Sequence, residues 1–372
     1  MKSHRNLILS HNWKDWRFIS LFLFFTSIII TIIGCKSESK EVIVNVADES
    51  IKPKTEIKKV DKYPTGMVWI EGGSFQMGAH IKGYYGREYP QHQVELDGFW
   101  MDIHEVTNAQ YKAFVEATNY LTVSERVVDW EELKKELPPN TPKPHDSILQ
   151  PGSLVFKASN GPVNLNNISN WWYWIIGANW KHPQGPESTI ADKMDHPVVH
   201  IAYEDAIAYC EWAGKRLPTE AEWEFAAKGG LVKKKYTWGD EDAKNRGDLA
   251  NIYHGDFPYN NTALDNYVGT APVMQFIPNG YQIYDMSGNV WEWCSDLFDE
   301  NYYKEIEGTI CKNPIGSKKS YNPRDPYATE RVTKGGSFLC HVSYCYNYRP
   351  SAREGSSVDT GMSHLGFRSV KN

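Results

Sequence analysis

"HPVVHIAYEDAIAYCEWAGKRLPTEAEWEFAAKGG", residues 196–230, carries one predicted strand and two predicted helices in close succession. The apolar run at 196–202 predicts a buried strand. In "YEDAIAYCEWAGKRL" a short helix points Ile207, Cys210 and Trp212 inward, which makes Cys210 an inert packed thiol. "PTEAEWEFAAKGG" opens on a capping box, Thr219 with Glu222, and stops at Gly229 and Gly230. Upstream, "TNAQYKAFVEATNY" gives a third helix, with Thr107 as N-cap and Tyr111, Phe114 and Val115 on one face. Elsewhere turn signals recur too often for long elements. The chain has 14 Trp and 22 Tyr beside 28 Gly and 20 Pro, so large flat rings pack between many turns. The expected fold class is α+β with low regular secondary-structure content. No internal repeat points to a solenoid or propeller.

The 372 residues carry a formal net charge of −6, which gives no electrostatic footprint for nucleic acid. The N-terminus reads as an export signal: a basic stretch, then the apolar "FISLFLFFTSIIITIIG" at 18–34, then Cys35. We expect residues 1–35 to be a signal peptide with a lipobox cysteine, Cys35 being lipidated; the alternative is an uncleaved membrane anchor. Residues 36–62 are polar and lack aromatics, which predicts a flexible tether. Residues 63–372 form the expected folded domain, a monomer, exported and lipid-anchored to a bacterial membrane on the periplasmic or cell-surface side. With Cys35 modified, the remaining cysteines are Cys210, Cys294, Cys311, Cys340 and Cys345, an odd number.

Two constellations carry chemistry. In "GGSFLCHVSYCYNYR", residues 335–349, Cys340 and Cys345 sit among aromatics. Two soft thiolates suit a soft ion such as Cu(I), whereas zinc would want four ligands that this chain does not supply nearby. A structural disulfide across a tight loop fits the same spacing in an exported protein. His341 points away from Cys340 on an extended segment and reads as structural. The second constellation is oxygen-rich. "ANIYHGDFPYNNTALDNY" supplies Asn251, Asp256 and Asp265, and "YDMSGNVWEWCSD" supplies Asp285, Asn289 and Glu292. Hard cations such as Ca²⁺ take such oxygens from irregular loops, although Asp and Asn in loops are mostly turn formers. No G-x-S-x-G elbow, phosphate-binding glycine loop or H-E-x-x-H motif is present.

These residues resemble the formylglycine-generating enzymes, or sulfatase-modifying factors, from about residue 65 to 370. The resemblance rests on "GGSFQMG", "MDIHEVTNAQYKAFV", "WIIGANWKHPQGPESTI", the 196–230 stretch, "ANIYHGDFP", "GNVWEWCSD", "RVTKGGSFLCHVSYCYNYR" and "LGFR". The cysteine pair is its specific part, since lectin-like relatives share the Gly and Trp landmarks. The resemblance implies a C-type-lectin-like fold. It implies oxidation of a cysteine in a C-x-P-x-R segment of unfolded sulfatases to Cα-formylglycine, with O₂ as co-substrate. Cys340 and Cys345 would hold Cu(I), joined by the substrate thiol, with Ser337 and Trp291 lining the oxygen pocket. Asp129, in "SERVVDW", falls where the family binds the substrate arginine. His364 replaces a substrate-contacting amide.

The family's calcium sites would use Asn251, the Ile252 carbonyl, Asp265 and the Tyr267 carbonyl in one case. The other would use Asp285, the Gly288 and Val290 carbonyls and Glu292, with Glu105 in the same network. Structural disulfides of animal members have no counterpart here, and Cys294 and Cys311 are additions. Two other readings compete. One is a non-catalytic, lectin-like structural lipoprotein of a gliding or secretion assembly, which has no use for the cysteine pair. The other is a non-heme iron sulfoxide synthase, which needs an H-x3-H-x-E stretch that is absent here.

Overall fold

The computed structural model describes residues 64–372; the expected signal, Cys35 and the whole tether lie outside them. Short strands and helices are held in place by long loops, as the turn density predicts. A three-stranded antiparallel sheet sets Phe99–Asp102 between Met67–Ile70 and Val370–Lys371. A second sheet sets His92–Leu96 between Gly73–Met77 and the parallel strand Ile310–Lys312. The third orders Glu354–Ser357, Glu330–Lys334, Trp291–Leu297 and Leu365–Gly366, the last pair being parallel. Gly152–Phe156 and Trp172–Ile176 form a separate antiparallel pair.

The capped helices form where the sequence places them. Asn108–Thr118 starts at Thr107, whose hydroxyl accepts from Gln110 N, and buries Tyr111 and Phe114. Glu220–Lys228 starts at Thr219 with Glu222 reciprocating, and ends on Gly229 in the left-handed region. That helix is buried along nearly its whole length. It sits in a charged interior where Glu220 pairs with Arg353, and Glu224 with Lys334 and Lys228.

Two expectations are corrected. Residues 196–202 are buried but do not form a strand. Pro197 makes only an isolated bridge with Thr107, and His200 turns the chain at φ 62°. The backbone there is satisfied one bond at a time, Val198 N by Val106 O and His200 N by Met362 O. Trp212 is 46% exposed, while Ala206, Tyr209 and Cys210 form the inner face of Tyr203–Trp212. Cys210 and Trp212, two residues apart, lie about 200° round a helix and cannot share a face.

Candidate functional site

The Glu330–Lys334 strand delivers the cysteine segment. It ends at Gly335 and Gly336, with φ of 90° and 70°, a turn that side-chain-bearing residues rarely make. At Gly336 a Cβ would also stand 3.1 Å from Cys340 Sγ. Beyond the turn, Phe338 N donates to Asn289 O, Cys340 N to Ser337 O, and Cys345 N to His341 O. The loop therefore folds back on itself and brings Cys340 and Cys345 together. Their Cα atoms are 4.7 Å apart and the sulfurs are joined as a disulfide. Cys340 is fully buried, and Ser337 N–H points at its sulfur from 3.4 Å.

The pair lies in the wall of a cavity of about 560 Å³ that Ser337, Trp291 and His364 also line. Trp291 and Leu365 are register partners in the third sheet, and Trp291 N donates to His364 O. Strand pairing thus fixes His364 beside the cysteine loop, with His364 Nδ1 3.0 Å from Ser337 Oγ. Five of the residues picked from sequence therefore converge on one space.

Asp129 does not join them. It is exposed and caps the short helix Trp130–Leu133, its Oδ1 accepting from Glu131 N at 2.8 Å. Sequence reasoning missed the aromatic wall of Trp171, Trp172, Phe257 and Tyr344, for which "NWWYW" was the available signal. It also missed a charged wall in which Arg87 and Arg324 pair with Glu354 beside Glu330. Burial pushes Glu330 up to about 7.

Loss of solvation, and then His200, push His364 down to about 3. The unfolded chain takes up a proton near pH 6.5 that the folded ring refuses. Stability from this ring is therefore complete above that pH and falls as pH drops below it. We expect His364→Asn to lose less stability than the wild type between pH 7.5 and 5.5, by about 1 kcal/mol in urea titrations. An unchanged gap between the two proteins would contradict the neutral ring.

The oxygen-rich loops meet elsewhere in the domain. Asn251 Nδ2 donates to Gly269 O and Asn289 Oδ1, leaving its Oδ1 buried without a partner. Asp285 accepts from Met274 N through Oδ2, and its Oδ1 is likewise unpartnered. Glu105 Oε2 is the third such oxygen, while its Oε1 accepts from Asn289 Nδ2. Burial and the neighbouring Asp285 push Glu105 well up, and burial raises Asp285 to about 6. Asp265 accepts from Ile252 N and Tyr267 N. Gly288 and Val290 flank Asn289 on the stretch that leads into Trp291–Leu297. Glu292 is already engaged: Arg368 Nε and Nη2 reach both its oxygens, and Trp223 Nε1 donates to Oε2. Among the described residues no group of three or more His, Cys, Asp or Glu side chains gathers as a metal site. The oxygens without partners are instead a mixture of amide and carboxylate, the donor type that suits a hard cation. Cys294 and Cys311 are free thiols in the structure.

A scaffold of short elements with a cysteine pair in the wall of a cavity lined partly by aromatic rings defines the class, and sequence comparison agrees. Residues 53–372 match the family described as "Sulfatase-modifying factor enzyme 1-like domain", and the chain belongs to that family. It is 44% identical to the formylglycine-generating enzyme of Mycobacterium tuberculosis over 306 residues, covering 82% of this chain and 97% of that one. It is 42% identical to the formylglycine-generating enzyme of Bos taurus over 308 residues, covering 82% of this chain and 74% of that one. Among solved structures, PvdO from Pseudomonas aeruginosa superposes with a TM-score of 0.55 at 22% identity, covering 82% of this chain and 94% of that one; this likeness concerns the fold alone.

Proposed function

We infer that this chain is a formylglycine-generating oxidase, which converts a cysteine of sulfatases to Cα-formylglycine with O₂. The observation that carries the reading is the Cys340–Cys345 pair in the wall of the 560 Å³ cavity, within a family match over most of the chain. The aromatic wall of the cavity offers flat apolar surface to an extended peptide segment. Unfolded sulfatase segments of the C-x-P-x-R type are the proposed substrates. Asp129, exposed and outside the cavity wall, is proposed to pair with the motif arginine through its remaining carboxylate oxygen.

In the finer reading, the reduced pair holds Cu(I). The donor set fits: two sulfurs side by side, with a backbone N–H aimed at one of them. When bound, copper supplies the one-electron and O₂ chemistry that side chains cannot. The protein's own part is positional. Trp291 and Leu339 close the cavity wall beside the thiols and keep water away. Ser337 Oγ, fixed by the His364 ring, offers a hydroxyl next to Cys340.

We further propose Ca²⁺ at the two oxygen-rich loops, supported by the unpartnered oxygens of Asn251, Asp285 and Glu105. Chelation by EGTA should lower the melting temperature, and Ca²⁺ at a hundred times its Kd should restore about 2.7 kcal/mol. A melting temperature indifferent to both would remove calcium from the account. Export and lipid anchoring at Cys35 belong to the same proposal, since an oxidase tethered where chains emerge meets its substrate before folding buries the segment. Metabolic labelling with a radioactive fatty acid, lost in Cys35→Ala, tests the anchor.

The function itself is tested with the full chain in detergent, reduced, loaded with Cu(I) and given a C-x-P-x-R peptide in air. Mass spectrometry should find the peptide cysteine converted to the aldehyde, and a copper chelator should stop conversion. A disulfide that resists reduction, with no aldehyde formed, would leave a lectin-like binding module instead.

A further inference from the structure

The charged wall of the large cavity is unevenly balanced. Glu354 is shared between two guanidiniums: its Oε2 accepts from Arg87 Nη2 and its Oε1 from Arg324 Nη2. Arg87 Nε also donates to Arg353 O at 2.6 Å. Both arginines are therefore engaged by the fold, as are both oxygens of Glu354. Glu330 lines the same cavity without such a partner. Its carboxylate accepts one hydrogen bond, from the neutral amide of Asn322, Nδ2 to Oε2 at 2.7 Å. Among the described residues no cation pairs with it directly.

Glu330 is only 6% exposed, and a carboxylate taken out of water without a counter-ion is costly. Burial, with Glu354 and Asp325 adding to it, pushes the group up to about 7. The fold nevertheless builds a place for it. Asn322 is steadied by Arg324, whose backbone N and Nε donate to Asn322 Oδ1 at 3.0 and 3.4 Å. On the neighbouring strand Gly355 makes room, since a Cβ there would collide with Glu330 Oε2. Glu330 opens the strand whose far end turns at Gly335–Gly336 into the cysteine loop, so one strand joins the acid to the cysteine pair within a single cavity. Arg324 and Asp325 are exposed, so this wall reaches the surface, where a chain can enter. Asp129 does not line the cavity, so the motif arginine proposed for it leaves Glu330 to another side chain.

We propose that this wall is a second cation subsite, in which Glu330 takes the ammonium or guanidinium of a basic residue flanking the C-x-P-x-R motif. The subsite rests on the oxidase reading above, which supplies the peptide that fills the cavity. The basic side chain brings the positive charge that the fold withholds from Glu330, and its stem lies along the wall.

Peptide binding to the full chain in detergent tests the subsite. Fluorescent C-x-P-x-R peptides with serine in place of the cysteine carry lysine, acetyl-lysine or glutamate at each flanking position in turn, and anisotropy gives their Kd. Acetylation keeps the stem and removes the charge. At one position the lysine peptide should bind about tenfold more tightly than its acetylated twin, the size of one charge-assisted hydrogen bond. Glu330→Gln keeps a partner for Asn322 but loses the charge, and should bring that ratio within about twofold of unity. The ratio is read within one protein, so a general loss of stability does not imitate the result. With cysteine peptides the same preference should appear in KM and not in kcat. A wild type indifferent to lysine at every position, or a Glu330→Gln that keeps the preference, overturns the subsite; aldehyde formed from the cysteine peptides would leave the oxidase reading standing. A preference for glutamate overturns it too, since Arg87 and Arg324 would then set the sign of the wall. A Glu330→Gln that loses selectivity only for the motif arginine assigns the acid to that arginine and overturns a second subsite. Lysine-selective binding with no aldehyde formed would sink the oxidase reading alone.

Discussion

Serine at Cys345 should abolish aldehyde formation, a fall of roughly 1000-fold or more, because a hydroxyl does not replace a soft thiolate as a donor. The same is expected at Cys340. Cys345 is the cleaner test, since Cys340 is fully buried and a hydroxyl there carries its own desolvation cost. The measurement also separates chemistry from stapling. A disulfide joining residues five apart contributes roughly 2 kcal/mol by constraining the unfolded chain. That contribution vanishes in the wild type as soon as the protein is reduced. Under a phosphine reductant the wild type and Cys345→Ser should therefore melt within a few degrees of one another, while only the wild type makes aldehyde. A reduced Cys345→Ser that still oxidises peptide would show that the pair is only a staple.

The largest effect on folding is expected at Glu292. Its carboxylate is gripped by Arg368 through two bonds of 2.6 and 2.7 Å and by Trp223 at 2.7 Å, with both charged side chains fully buried. Removing one partner of such a pair leaves a charge in the interior without compensation, at a cost of about 3–5 kcal/mol. Total stabilities of natural domains are on the order of 5–15 kcal/mol, so Glu292→Gln should leave the domain marginal. Urea unfolding should show the full loss in Glu292→Gln and a smaller one in Arg368→Met/Glu292→Leu, where both charges go together. Equal losses in the two would mean that the charge pair does not govern stability there. Glu292 also has consequences for the site. Its strand is the one on which Trp291 reaches the cavity, and Lys334, its register partner, precedes the Gly335–Gly336 turn.

The helices were legible because their ends are written in side chains: Thr107 and Thr219 as caps, Gly229 as a stop. The 196–202 segment misled because burial and strand pairing usually go together, whereas here Val198 and Ile201 are buried by loops. At the site, Cys340, Cys345 and Ser337 were legible as a local cluster. The placement of Trp291 and His364 beside them follows from a parallel strand pair, and no local pattern encodes that pairing. The aromatic wall escaped notice for a related reason. Trp171 and Trp172 flank the start of a strand pair, and only its packing against the cysteine loop turns them toward the cavity.

The outermost strand of the first sheet, Val370–Lys371, has a temporal meaning. It closes against Phe99–Asp102, and the residues just before it supply Arg368 to Glu292 and set His364 beside Ser337. The strand pairing joins residues more than 250 positions apart, and Arg368 and Glu292 are 76 apart, so these contacts form late and by long loop closure. On the ribosome the two thiols are therefore made before the residues that complete their cavity. Until the 364–371 segment has been synthesised and docked, the nascent chain carries an exposed cysteine pair of its own, open to any oxidant or metal it meets.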